Sequence, residues 1–98
     1  MSLKAFVSVV RGAFMAHVTI YTRPGCGYCA RALSVLEHKG ADFTEVHAGG
    51  DPALRQEMMQ RSGRSTYPQI FVGDKHIGGC DDMLALDRRG ELDALLAA

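Results

Sequence analysis

The feature that most constrains this chain is Cys26-Gly27-Tyr28-Cys29, a pair of cysteines three residues apart where a strand-like run gives way to a helix-like one. Upstream, His17-Val18-Thr19-Ile20-Tyr21 is β-branched and aromatic and is closed by Pro24-Gly25, which predicts a strand ending in a tight loop. Downstream, Cys29, Ala32, Leu33 and Leu36 recur at i, i+3, i+4 and i+7 and predict a helix over residues 27–39, stopped by Gly40. In that frame Cys26 stands at the helix N-terminus, where unpaired N–H groups and the positive end of the dipole favour a thiolate. Cys29 follows one turn later on the buried face, within reach of the Cys26 sulfur, and Arg23 adds positive charge to the same loop. A Cys-x-x-Cys pair in a strand–helix unit is a redox signature, with Cys26 as nucleophile and Cys29 as resolving thiol. A structural zinc site needs four ligands, and the remaining candidates, Cys80 and His76, form no second paired motif.

The rest of the chain continues the alternation of strand and helix. Residues 42–47 predict a second strand, and Gly49-Gly50 a turn. Asp51-Pro52 has the pattern of an N-cap followed by proline at the first helical position, opening a helix that ends near Gly63 with Leu54 and Met58 facing the core. Pro68-Gln69-Ile70-Phe71-Val72 predicts a third strand with proline at its first residue. After a Gly73-Asp74 turn, Lys75-His76-Ile77 predicts a short fourth strand. Gly78-Gly79 then precedes a helix with Asp81 and Asp82 in its first turn, where acids suit the dipole. Gly90 separates it from a last short helix striped by Leu92, Leu95 and Leu96. Two strands joined by a helix should be parallel with a right-handed crossover, and two joined by a turn antiparallel. The economical result is an α/β, thioredoxin-like fold: a four-stranded mixed sheet flanked by helices on both faces.

Composition narrows the function further. Eleven Lys plus Arg balance eleven Asp plus Glu, which argues against a general nucleic-acid binder. Three cysteines, Cys26, Cys29 and Cys80, are too few for a disulfide-stapled secreted scaffold, and no apolar run approaches the ~20 residues needed to span a bilayer. These points leave a small or locally recognised partner and do not favour secretion, and the expectation is a cytoplasmic monomer with no membrane association. Residues 1–15 contain two basic groups, no acids, and an apolar stretch broken by Arg11, too short for a signal peptide. They are read as a disordered leader or an added extension, with residues 16–98 as the single domain.

Three blocks, Thr22-Arg23-Pro24-Gly25-Cys26-Gly27-Tyr28-Cys29, Ser62-Gly63-Arg64-Ser65-Thr66-Tyr67-Pro68-Gln69-Ile70-Phe71 and Gly78-Gly79-Cys80-Asp81-Asp82, resemble in order and spacing the glutaredoxin family, specifically its short bacterial dithiol members. The resemblance implies a glutathione-dependent reduction of protein disulfides and glutathione mixed disulfides through Cys26 and Cys29. It implies a cis peptide bond before Pro68 and a Tyr67 backbone that pairs with the cysteine of bound glutathione. The γ-glutamyl carboxylate would sit at the start of the helix near Gly79 and Cys80, with Asp81 meeting the ammonium group or capping the helix. Arg23 and Arg55 would meet the glycyl carboxylate, and Tyr28 and Thr66 would line the groove.

Cys80 reads as a packing residue beside that groove, and His17, His38, His47 and His76 as structural or surface groups. Two departures from the family pattern stand out: Gly27 in place of the commonest proline, and Tyr67 in place of an aliphatic residue. The first leaves room for a rival reading, a dimer that shares a [2Fe–2S] cluster through Cys26 and glutathione. A thioredoxin-like reductase is the other rival, although the chain lacks the tryptophan that thioredoxins carry before the first cysteine.

Overall fold

A computed structural model describes residues 16–98, and the expectation for the leader concerns residues outside that range. The elements run β1 (His17–Thr22), α1 (Gly27–Lys39), β2 (Asp42–His47), α2 (Pro52–Ser62), β3 (Gln69–Val72), β4 (Lys75–Gly78), α3 (Cys80–Arg88) and α4 (Glu91–Ala97). The four strands form one sheet in the order β2-β1-β3-β4. β1 pairs with β2 in parallel, His17 opposite Asp42 and Thr22 opposite His47. β1–β3 and β3–β4 are antiparallel, and the β3–β4 register shifts between Ile70 and Phe71.

Alternation along the central strands divides the core in two. Val18, Ile20, Ile70 and Val72 pack on one side with Ala32 and Leu36 of α1, Cys80 and Met83 of α3, and Leu92 and Leu96 of α4. Tyr21 and Phe71 pack on the other with Ala48 and Met58, and Leu54, Met59 and Tyr67 lean against them. Helix α2 is fixed to this second face by polar contacts as well. The Tyr21 hydroxyl donates to Glu57 at 2.5 Å and accepts from Arg61 at 2.8 Å, and the Arg61 guanidinium lies 4.1 Å from the Phe71 ring centroid.

The helix ends follow from local chemistry. Asp51 accepts from the Ala53 and Leu54 amides at 3.0 and 3.2 Å with Pro52 at the first helical position, and Gly40 and Gly63 take the left-handed conformation that closes α1 and α2. Three boundaries differ from the sequence expectation. β4 runs one residue past Ile77, to Gly78, which pairs with Ile70. β1 runs one residue further, to Thr22, because its pairing with β2 extends to His47. Pro68 lies just before β3 rather than within it: pairing begins at Gln69, and the Tyr67–Pro68 bond is cis, as the family resemblance implied.

Candidate active site

The tight loop after β1 brings the two cysteines to one end of the sheet. It is held from below by the turn before α2: the Ala48 and Gly49 amides both donate to the Thr22 carbonyl, at 3.0 and 3.1 Å. Gly49 is needed there, because a Cβ would collide with the Arg23 Cβ and backbone. Cys26 is the N-cap of α1. Its backbone is extended, and its sulfur accepts from the Cys29 amide at 3.1 Å, the bond that a serine or aspartate oxygen makes at an ordinary helix start. A sulfur in that position faces the positive end of thirteen aligned peptide units.

Cys29 lies one turn deeper, 3% exposed against 8% for Cys26. Burial, reinforced by the hydrogen bond to and the charge of Cys26, pushes its thiol up to about 12, against the opposing influence of the Arg23 backbone and guanidinium. Burial also raises Cys80, the first residue of α3. All three cysteines are free thiols. The Cys26 sulfur is 4.0 Å from the Tyr67 carbonyl, so the helix start and the loop before Pro68 meet at one point.

Beside that point opens a cavity of about 230 Å³, lined by Tyr28, Thr66, Tyr67, Pro68, Gly79, Cys80, Asp81 and Asp82. Tyr28 is 58% exposed over its rim. Seven of the candidates named from the sequence thus converge here. Arg23 and Arg55 do not line it. The Arg23 guanidinium rests 3.2 Å from the Pro24 carbonyl, and Arg55 lines a separate, larger hollow with Gly49, Gly50, Asp51 and the outer face of α2.

The capping of α3 corrects one expectation. Asp82, not Asp81, accepts from the Gly79 amide at 2.9 Å, while its same oxygen pairs with Arg64 at 3.1 Å. Those bonds hold the Asp82 carboxyl below the usual carboxylate range, with the Gly79 amide as the largest influence. Gly79 has no side chain with which to return the bond, so this is half of a capping box. The Gly-x-x-Asp spacing of Gly79 and Asp82 was the sequence signal for it. Gly78 sits at φ 113°, and a Cβ there would strike the Asp82 carboxylate, so the turn into α3 requires glycine twice over. With Asp82 occupied by the cap, the exposed Asp81 carboxylate remains at the cavity wall.

The chain is similar to known proteins of one family. The family model described as Glutaredoxin matches residues 18–77. The chain is 56% identical over 82 residues to glutaredoxin 3 of Escherichia coli, covering 84% of this chain and 99% of that one. Among solved structures, a glutaredoxin from Brucella melitensis superposes with a TM-score of 0.73 at 59% identity, covering 83% of this chain and 88% of the other. A buckwheat glutaredoxin–glutathione complex superposes with a TM-score of 0.75 at 28% identity, covering 96% and 89%.

Proposed function

The chain belongs to the glutaredoxin family and is a glutathione-dependent thiol–disulfide oxidoreductase, and on that premise we propose that Cys26 carries the attack and Cys29 resolves. The observation that carries this assignment is the contrast between the two sulfurs: Cys26 caps the helix through the Cys29 amide, whereas Cys29 is held as a neutral thiol.

For a protein–glutathione mixed disulfide, the Cys26 thiolate attacks the glutathione sulfur. The old S–S bond breaks, the protein leaves as a thiolate that takes up a proton, and Cys26 keeps glutathione as a mixed disulfide. The thiolate of a second glutathione attacks the bound glutathione sulfur, releasing oxidised glutathione and returning Cys26 to its capping position. For a protein disulfide, the Cys26 thiolate attacks one of the two sulfurs. The protein S–S bond breaks and its other sulfur leaves as a thiolate that takes up a proton, which leaves Cys26 joined to the protein. Its negative charge is then gone, and with it part of what suppresses ionisation of Cys29. Cys29 loses its proton, attacks the Cys26 sulfur and expels the reduced protein, and two glutathiones open the resulting Cys26–Cys29 disulfide.

Glutathione would occupy the groove between Thr66-Tyr67-Pro68 and Gly79-Cys80-Asp81, with Tyr28 at the rim. Its γ-glutamyl carboxylate would meet the free N–H groups at the start of α3, its ammonium group would meet Asp81, and Arg23 and Arg55 would draw the glycyl carboxylate from outside the groove. The domain spans residues 16–98 and acts as a monomer on glutathionylated or disulfide-bearing proteins in the cytoplasm, where reduced glutathione supplies the electrons. Among the described residues no helix is long and apolar enough to cross a membrane.

A second reading, a [2Fe–2S] cluster shared by two chains, is favoured by the open space at Gly27, where an added Cβ would meet no heavy atom of the described residues within 4 Å. Among the described residues no group of three or more His, Cys, Asp or Glu side chains is gathered to hold a metal. The cluster would therefore need one Cys26 sulfur from each chain and two from glutathione. Anaerobic reconstitution with glutathione should then give a coloured dimer that Gly27→Pro abolishes, and a colourless monomer removes this reading. The main proposal is tested by turnover of a glutathionylated peptide with glutathione, glutathione reductase and NADPH, in which Cys26→Ser should leave only the uncatalysed rate.

A further inference from the structure

On one side of the groove, Thr66 is held by a hydrogen-bond chain that begins on the far edge strand. Gln69, the first residue of β3, is fully buried, yet its amide is satisfied. Its Nε2 donates to the Thr66 carbonyl at 3.0 Å and to the Thr66 hydroxyl at 3.1 Å, and its Oε1 is 2.7 Å from His76 Nε2 on β4.

The polarity of this chain is fixed from one end. A carbonyl only accepts, so the Gln69 nitrogen must face Thr66, which turns the Gln69 oxygen toward His76. His76 Nε2 must then carry the hydrogen. The ring is clamped in place: it is half-buried and tilted over Phe71 with centroids 4.9 Å apart. Burial and the nearby Arg64 charge lower its pKa, with Asp82 opposing, so it stays a neutral donor. At the other end, the Thr66 hydroxyl spends a lone pair on Gln69 and keeps its own hydrogen, and Thr66 is exposed at the cavity wall.

We propose that Gln69 and His76 are positioning residues for glutathione: through Gln69 Nε2, the β3–β4 edge fixes the Thr66 backbone and aims the Thr66 O–H into the groove. The proposal rests on the assignment of that groove to glutathione. It gives His76 a function that its sequence position did not suggest. It also explains why a buried polar side chain begins β3, where an apolar residue would pack at less desolvation cost.

The test is a double-mutant cycle on Gln69→Met and His76→Phe, both close in shape to the residues they replace. For each folded variant, turnover of a glutathionylated peptide is measured beside the rate at which iodoacetamide alkylates Cys26. Gln69→Met should raise KM for the glutathionylated peptide about five- to tenfold, the scale of one or two lost hydrogen bonds, with kcat and the alkylation rate near wild type. His76→Phe should move KM the same way by about two- to threefold, a partial loss because the Gln69 donor survives but is no longer oriented. The double variant should be no worse than Gln69→Met alone, since both act through one chain.

Additive effects, an unchanged KM in His76→Phe, or an equal loss in alkylation would each overturn the proposal. The His76 variant decides the matter even if Gln69→Met fails to fold. Wild-type protein that alkylates at Cys26 but turns over no glutathionylated peptide would instead remove the assignment of the groove itself.

Discussion

The sulfur end of the site and its groove are built in different ways. At the sulfur end, backbone does the positioning: Cys26 is held by an amide of its own helix, and the loop beneath it by two amides donating to the Thr22 carbonyl. In the groove, side chains do it, with Gln69 and His76 holding Thr66 while Asp82 ties Gly79 to Arg64. A backbone-built site tolerates sequence change wherever there is room for a side chain, because every residue but proline supplies an N–H, and Gly49, pressed against Arg23, is the position where there is none. A side-chain-built groove is specific and can be altered one residue at a time. The chemistry and the choice of substrate are therefore separable in this molecule, and substitutions should divide along the same line.

The largest expected contrast lies within the sulfur end. At about pH 7 to 9, iodoacetamide should label Cys26 while leaving Cys29 and Cys80 unmodified in the folded protein, since burial raises both of the latter thiols. Peptide mass mapping reads this directly. Labelling of Cys29 at a rate comparable to Cys26 would erase the distinction between the two sulfurs.

A moderate effect is expected at the far wall of the groove. Asp82→Asn should lower stability by about 0.5–1 kcal/mol at neutral pH, the scale of a first-turn charge together with an exposed ion pair. Because the folded-state carboxyl is held below its ordinary value, that contribution is present above about pH 4 and is lost as pH falls through the lowered value. Denaturant titrations of the two proteins should therefore differ at pH 7 and converge in acid. A gap that does not narrow as the pH falls from about 4 to about 2 would show that the charge is not what matters.

The smallest effect belongs to Tyr67. Its ring packs against the Tyr21, Met58 and Phe71 cluster, but its buried hydroxyl has no hydrogen-bond partner among the described residues. Tyr67→Phe should match or slightly exceed wild-type stability, within about 0.5 kcal/mol, because no bond is lost and a desolvated hydroxyl is removed. A clear loss of stability would mean that the hydroxyl has a partner in solution.

The difference in construction also explains what could be read from the sequence. The order of strands and helices was legible because it rests on periodicity, on Asp51-Pro52 as a helix start and on Gly40 and Gly63 as helix stops, all of which are local. The place of Cys26 at a helix N-terminus was legible for the same reason. The groove residues Thr66, Pro68, Gly79 and Cys80 were named through family resemblance, not through any local physical rule. What escaped was pairwise and non-local. The Arg64–Asp82 bridge spans eighteen residues. The His76–Gln69 bond depends on how β3 and β4 align across the register shift between Ile70 and Phe71. No periodicity encodes such a shift, so the sequence leaves His76 as a structural or surface residue with no partner named. Capping by Asp81 stood as an alternative to its ammonium contact because both acids fit the helix dipole, and only the Gly79-to-Asp82 spacing identifies Asp82 as the cap.

The central claim is that Cys26 exchanges with glutathione and that Cys29 is dispensable for that step. Its most direct test is intact-protein mass spectrometry of Cys29→Ser and Cys26→Ser after mixing each reduced protein with oxidised glutathione. Cys29→Ser should gain one glutathione per chain, mapped to Cys26 and removed by excess reduced glutathione, and Cys26→Ser should gain none at Cys29. Glutathione carried on Cys29 of the Cys26→Ser protein, together with retained turnover of a glutathionylated peptide, would contradict the account.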